Sequence, residues 1–222
     1  MKTSVIIPAF NEGESIEKTL QALYEEDWIE EIIGVNDGSK DETGKVMEKY
    51  CDQVIHFKKN TGKSAALQAG WEYSKGDIIM CLDGDLRGSA VFSQRLYTSL
   101  LENDSDMVIA NVPAGKQSGR GIFKKRVQAQ IYKKTGRHIQ YPLSGQRAFK
   151  RAHLPLFQSL RSTGFGIETV MTLQALNNGL QILEIELPFT HKEYGKAVKG
   201  SWHRGKQWLE VERCLWNYGK QH

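Results

Sequence analysis

Ile78-Ile79-Met80-Cys81-Leu82-Asp83-Gly84-Asp85 is an apolar run that ends abruptly in two acids around a glycine. A run of that length, bounded by turn formers, predicts a buried strand. Charged residues at its end fall where an open α/β sheet parts into a crevice, and such sheets bind their ligands there. Carboxylates two apart on extended chain point the same way, and Gly84 is expected to leave room for a ligand between them. The pair could hold a hard divalent cation, and the cation a diphosphate. Asp-Gly-Asp is also a good turn former with solvated acids, so the flanking sequence has to decide.

Upstream, apolar and helical segments alternate. Strands are expected at Ser4–Pro8, Glu31–Val35, Gln53–Phe57 and Asp77–Leu82, with helices at Glu14–Tyr24, Asp41–Tyr50 and Gly62–Tyr73 between them. Repeated β-α units predict a mostly parallel sheet with helices on both faces. A further strand is expected at Asp106–Asn111. The second half reads as a basic helix at Gly121–Thr135, a loop with a short apolar segment at Tyr141–Lys150, helices at Ala152–Leu160 and Ile167–Asn177, a strand at Gln181–Phe189, and a C-terminal helix at Ser201–Tyr218. There is no Pro- or Gly-rich linker. The expectation is one domain over 1–222, with a ligand-binding half at 1–111 and a second half at 112–222.

The 222 residues, 40% hydrophobic, suffice for one large core. No apolar stretch is long enough to span a membrane, and the apolar N-terminal run breaks at Pro8, too early for a signal peptide. Cys51, Cys81 and Cys214 are widely spaced and odd in number, which fits a reducing cytoplasm rather than a disulfide framework or zinc site. The net charge of +4 is unevenly spread: Met107 to Ile167 contains twelve Lys or Arg and no Asp or Glu. Such a face suits phosphate groups on a substrate or anionic lipid head groups. Nucleic acid is disfavoured because no recognised binding motif accompanies the charge.

Three expected strands end in polar clusters: Pro8-Ala9-Phe10-Asn11-Glu12, Asn36-Asp37-Gly38-Ser39 and Asp83-Gly84-Asp85. In a parallel sheet these ends share one edge, so Glu12, Asp37, Asp83 and Asp85 converge. Converging carboxylates need a cation or donors to offset their repulsion. Asn60-Thr61-Gly62-Lys63-Ser64, opening a helix, can supply them, and a lysine there suits a phosphate.

The ordered set Val5–Glu12, Val35–Thr43, Asn60–Leu67 and Leu82–Asp85 resembles family 2 glycosyltransferases of the GT-A fold. The likeness extends more loosely through Ser144-Gly145-Gln146-Arg147, Gly164-Phe165-Gly166-Ile167-Glu168 and Phe189-Thr190-His191. It implies a metal-dependent hexosyltransferase that takes its sugar from a UDP- or GDP-sugar, with Mg2+ or Mn2+. Pro8, Phe10 and Glu12 would line the nucleotide pocket, Asp37 would meet the base, and Lys63, Asp83 and Gly84 would hold the donor. Asp83-Gly84-Asp85 would be the DXD motif, with Asp85 and His191 on the metal. Asp85 and Glu168 would carry the chemistry, Glu168 as the acceptor-side base, although a phosphate acceptor supplies its own oxyanion. Glu168 also suits a helix N-terminus on charge grounds alone.

Ser144-Gly145-Gln146-Arg147 is similar to the Ser-Gly-Phe-Arg of lipid-phosphate-using members, with Gln146 departing from it. Gly164–Glu168 is similar to soluble members acting on phosphoglycerate. The acceptor is therefore expected to be a phosphorylated small molecule or a lipid phosphate, contacted by Arg126, Arg147 and Lys150. Trp202, Trp208 and Trp216 read as core or homodimer packing, with peripheral contact at the inner membrane surface as the alternative. The competing reading is an inactive nucleotide-sugar-binding module. A nucleotidyltransferase lacks support because no Gly-rich basic loop follows the first strand, and a dinucleotide-binding oxidoreductase because no G-x-G-x-x-G follows a strand.

Overall fold

The computed structural model describes residues 1–24, 26–111, 120–158, 160 and 166–190, with backbone alone for 120–122. Strands β1 (Thr3–Ala9), β2 (Ile29–Asn36), β3 (Gln53–His56), β4 (Ile78–Cys81), β5 (Met107–Asn111), β6 (Arg147–Lys150) and β7 (Ile182–Glu186) form one seven-stranded sheet of order β3-β2-β1-β4-β6-β5-β7. β1 pairs in parallel with β2 and β4, β2 with β3, and β5 with β7. β6 runs antiparallel to both β4 and β5. Strands from both halves of the chain thus share the sheet.

β1 and β4 are buried along their whole length because helices cover both faces. On one side α1 (Gly13–Gln21), α2 (Thr43–Tyr50) and α4 (Gln94–Glu102) bring Ile16, Leu20, Met47, Leu96 and Leu100 onto Val5, Ile7 and Met80. On the other, α3 (Lys63–Tyr73), α5 (Arg120–Thr135), α6 (Leu154–Gln158) and α7 (Ile167–Asn177) bring Leu67, Trp71, Val127, Ile131, Phe157 and Met171 onto Ile6, Ile79 and Phe149. Neighbouring strand residues alternate between the two cores, as the pleat requires.

Several boundaries differ from the sequence expectation for identifiable reasons. The helix expected from Asp41 begins at Thr43, because the Asp41 carboxylate accepts from the Thr43 amide and hydroxyl and from the Gly13 amide. Ala152–Leu160 is not one helix. A 3-10 turn at Arg151–His153 precedes α6, whose Pro155 is tolerated in the first helical turn. Between Leu82 and Asp106, where no element is expected from the sequence, a 3-10 turn (Arg87–Ser93) leads into α4. The helix expected at Ser201–Tyr218, with its tryptophans, lies outside the described residues. No helix among the described residues is long and apolar enough to cross a membrane.

Candidate active site

The carboxyl ends of β1, β2 and β4 lie together, as expected. Ala9 stands beside Asn36, the Asp37 amide donates to the Ala9 carbonyl, and the Leu82 amide to the Ile6 carbonyl. The β1–α1 and β2–α2 loops are stitched to each other. Asn11, at φ 55°, donates its amide to the Ser39 hydroxyl and accepts from the Lys40 amide, while the Glu12 amide donates to the Thr43 hydroxyl. Asp41 lies below its ordinary pKa. Its partial burial acts the other way, but hydrogen bonds from Thr43 and Gly13 outweigh it. Ser39, Asp41 and Thr43 were not singled out as site builders, although all three lie in the Val35–Thr43 motif. Pro8 is buried within β1, and Phe10 is 43% exposed just past it.

Asp37 is buried and shapes the next loop. Its Oδ1 accepts from the Thr61 amide (2.7 Å) and hydroxyl (2.9 Å), and its Oδ2 from the Gly62 amide (2.8 Å). Gly62 sits at φ 95°, where a side chain would be strained. The turn delivers Lys63 at the start of α3, with its side chain pointing across to the end of β4.

There Lys63 meets two acids. Its Nζ lies 2.5 Å from Asp83 Oδ1 and 2.7 Å from Glu168 Oε1, with the lysine side chain only 15% exposed. Burial works against the ammonium, but the charges of Asp83 and Glu168 outweigh it and hold Lys63 above its ordinary pKa. Glu168 occupies the first turn of α7, where the helix dipole favours an acid. Its backbone carbonyl accepts from Arg147 Nη1 at 3.0 Å.

Gly84 corrects one expectation. It is buried, and a Cβ there would stand 3.0 Å from Ile16 Cδ1 and 3.2 Å from Ala9 Cβ, so its missing side chain makes room for the core rather than a ligand. Its carbonyl accepts from the Thr19 hydroxyl, and that hydroxyl in turn accepts from the Arg87 amide. Thr19 thereby braces the turn that presents Asp85, a role that no local pattern around it marks.

The three expected acceptor contacts separate. Arg126 is exposed on α5. Arg147 is buried, and its guanidinium is committed to the carbonyls of Ser144 and Glu168, so it supports the site from beneath rather than facing an acceptor. Lys150 lies at the opposite edge. β6 is antiparallel, so Lys150 sits beside Ile78 at the start of β4 and pairs with Asp104 and Asp106. That placement removes it from the site.

His191 lies outside the described residues. Among the described residues no group of three or more His, Cys, Asp or Glu side chains is placed to hold a metal ion. Mg2+ is commonly held by one or two carboxylates together with substrate phosphates rather than by a protein cage, and Asp85 at the crevice fits that role. A hollow of about 370 Å3 at the end of β3 is lined by His56, Phe57, Lys58, Lys59, Thr61 and Ala65. None of the charged residues of the Lys63 cluster borders it.

The family model described as glycosyl transferase family 2 matches residues 4–154, which include the motifs at the ends of β1, β2 and β4 and at the start of α3, but neither Glu168 nor His191. The chain belongs to that family. Among relatives, the undecaprenyl-phosphate 4-deoxy-4-formamido-L-arabinose transferase of Proteus mirabilis is 27% identical over 208 residues, covering 88% of this chain and 62% of the relative. The dolichol-phosphate mannosyltransferase of Pyrococcus furiosus is 27% identical, covering 99% of this chain and 64% of the relative. The chain thus spans under two thirds of the length of these relatives. The undecaprenyl-phosphate mannosyltransferase of Micrococcus luteus is 26% identical, covering 96% of this chain and 93% of the relative. The glucosyl-3-phosphoglycerate synthase of Mycobacterium tuberculosis, solved with phosphoglyceric acid, superposes with a TM-score of 0.79 at 22% identity, covering 96% of this chain and 78% of that one. The same synthase solved with Mn2+, UDP-glucose and phosphoglyceric acid gives 0.78. At this identity the likeness is one of fold, and the glycosyl transferase family 2 chain has the GT-A architecture expected of it.

Proposed function

We propose that this family 2 chain is a metal-dependent glycosyltransferase that moves a hexose from a UDP- or GDP-sugar to a phosphate-bearing acceptor, either a phosphorylated small molecule or a lipid phosphate. The observation that carries the reading is the Lys63 ammonium, which joins Asp83 at the end of β4 to Glu168 on α7. One charged cluster thereby links the strand ends where open α/β sheets take nucleotides to the helix on the acceptor side. The named relatives act on undecaprenyl or dolichol phosphate, and the fold neighbour was solved with UDP-glucose and a phosphorylated acid. The basic stretch between Met107 and Ile167 is the chain's own support for an acidic acceptor.

In this reading Pro8, Phe10 and Glu12 border the nucleotide, and Asp37 serves it by building the turn that sets Lys63. A divalent cation, Mg2+ or Mn2+, held by Asp85 with His191 would offset the charge developing on the departing diphosphate. Lys63 keeps Asp83 and Glu168 in fixed relation, so that donor and acceptor sides stay in register. Glu168 takes the proton of an acceptor hydroxyl; a phosphate acceptor brings its own oxyanion and asks less of it. Arg147 holds the Glu168 backbone from below. Cytoplasmic location, contact with the inner membrane surface and homodimerisation through the C-terminal region belong to the same proposal.

The test is a panel of nucleotide sugars with and without Mn2+, read by thermal shift and by sugar-nucleotide hydrolysis. Metal-dependent stabilisation with turnover, both lost in Asp85→Ala, is the expected result. Metal-independent binding without hydrolysis or transfer would favour the binding module, and no response to any nucleotide would sink both readings.

A further inference from the structure

Gln146 is fully buried, at 0% exposure, directly beneath the Asp83-Gly84-Asp85 turn. Its side-chain amide grips Asp83 twice. Oε1 accepts from the Asp83 amide at 2.9 Å, and Nε2 donates to Asp83 Oδ2 at 2.6 Å. The amide can face only one way, since a backbone N–H needs an acceptor and a carboxylate needs a donor. Asp83 Oδ1 is taken by Lys63, so both carboxylate oxygens have protein partners on opposite sides. Gln146 itself is fastened to β5. The Ala110 amide donates to its carbonyl at 2.9 Å, and its own amide reaches the Ser144 hydroxyl, which donates to the Ala110 carbonyl. Next to it, Gly145 is the residue that lets the strand pass so close: a Cβ there would fall 2.5 Å from Lys63 Nζ and 2.8 Å from both Asp83 oxygens.

We propose that Gln146 is a positioning residue that sets the orientation of Asp83 and, through Asp83, the place of Lys63 between donor and acceptor sides. It rests on the reading of this edge as the nucleotide-sugar site. An apolar side chain of similar volume would fill the space and offer neither the donor nor the acceptor. The Asp83 amide would then lose its glutamine acceptor, and the carboxylate, freed from Nε2, could turn about its Cα–Cβ bond while still reaching Lys63.

The experiment compares Gln146→Met and Gln146→Glu with the wild type, in donor-dependent turnover from pH 6 to 8.5 and in crystal structures. Supporting partners of this kind are typically worth 10–100-fold, so Gln146→Met is expected to lose about tenfold or more in kcat/KM for the donor, with Asp83 rotated. A protonated carboxyl offers one donor and one acceptor, as the amide does, and a buried acid beside Asp83 holds its proton more readily. Gln146→Glu should therefore match Gln146→Met at high pH and recover towards wild type as pH falls. A Gln146→Met enzyme at wild-type rate, or a Gln146→Glu profile parallel to that of Gln146→Met, would overturn the proposal. If the wild type turns over no nucleotide sugar, the functional reading fails, and the structures alone decide: an unmoved Asp83 in Gln146→Met refutes the positioning role and a rotated one supports it.

Discussion

Two lysines at opposite edges of one sheet sit among acids in different ways. At the carboxyl edge, Lys63 is 15% exposed and bridges Asp83, 26% exposed, and Glu168, 5% exposed, from two distant elements. At the amino edge, Lys150 is 26% exposed, and its shorter contact is to Asp104, 96% exposed, with Asp106 further off at 3.6 Å. By distance alone both are ion pairs. Water decides their weight: the first cluster is largely sealed and held by hydrogen bonds on every side, whereas the second is rinsed by solvent and worth little. A sealed cluster of unlike charges costs desolvation, which makes one at the carboxyl edge of an α/β sheet a candidate for function rather than for bulk stability.

The largest expected effect follows from breaking the sealed cluster. Lys63→Met leaves Asp83 and Glu168 facing each other without the ammonium that joins them, at a cost of about 3 kcal/mol on the scale for disrupted buried pairs, read by urea unfolding at pH 8. The pH dependence has a definite sign. The folded-state pKa of Lys63 lies above the ordinary 10.5, so its contribution is fully present below that value and is lost as pH rises through the folded value above it. The lysine's own share of the gap between wild type and Lys63→Met should therefore be lost on the alkaline side, while on the acid side the gap narrows as the two carboxyls of the variant take up a proton. A gap that does not shrink as pH rises above the ordinary lysine value would show that the lysine is not held by these acids.

A smaller effect probes how tightly the cluster is closed. Gly145→Ala would place a Cβ 2.5 Å from Lys63 Nζ and 2.8 Å from the Asp83 oxygens. Overpacking of this kind costs about 1–3 kcal/mol, and the lysine end, as the flexible partner, is what gives way. The expected outcome is a stability loss below that of Lys63→Met with a disproportionate weakening of nucleotide binding, measured by calorimetric titration with UDP and Mn2+. Unchanged nucleotide binding would separate Lys63 from the donor.

How much of this edge could be read from the chain depended on strand direction. The apolar runs ending in Asn36-Asp37 and Leu82-Asp83 declared both their strands and their edge, because βα units leave only parallel pairing open. Ile167–Asn177 was legible to the residue from its apolar content and the acid in its first turn. β6 was not. Four residues, Arg147-Ala148-Phe149-Lys150, carry no periodicity that distinguishes parallel from antiparallel. Arg147 and Lys150 are near in sequence and equally basic, so they read as a pair of acceptor contacts, yet extended chain sends them to opposite edges. Gln146 was seen only as a departure from Ser-Gly-Phe-Arg, because its meaning lies in Asp83, a partner no local pattern connects to it. α4 escaped notice although Leu96 and Leu100 have helical spacing, since the small and polar residues before it resemble loop.

The smallest effect belongs to the amino edge. Lys150→Met removes an ammonium whose main partner is almost fully solvated, and exposed pairs contribute under about 1 kcal/mol. Asp106 gives the edge an acid dependence. Burial tends to raise its pKa, but the Gln181 amide, His153 and Lys150 together hold it below its ordinary 3.8. A depressed carboxyl contributes stability that is present above the unfolded value and lost as pH falls through the folded one. Lys150 is the last of those causes, so Lys150→Met should trim that acid-side contribution slightly, leave stability at pH 7 nearly unchanged and leave sugar transfer untouched. The informative failure is a variant that keeps its stability and loses transfer. That result would bring an acceptor to the amino edge, where the antiparallel course of β6 has placed Lys150 a full strand length from Lys63, and the contrast between the two lysines would no longer hold.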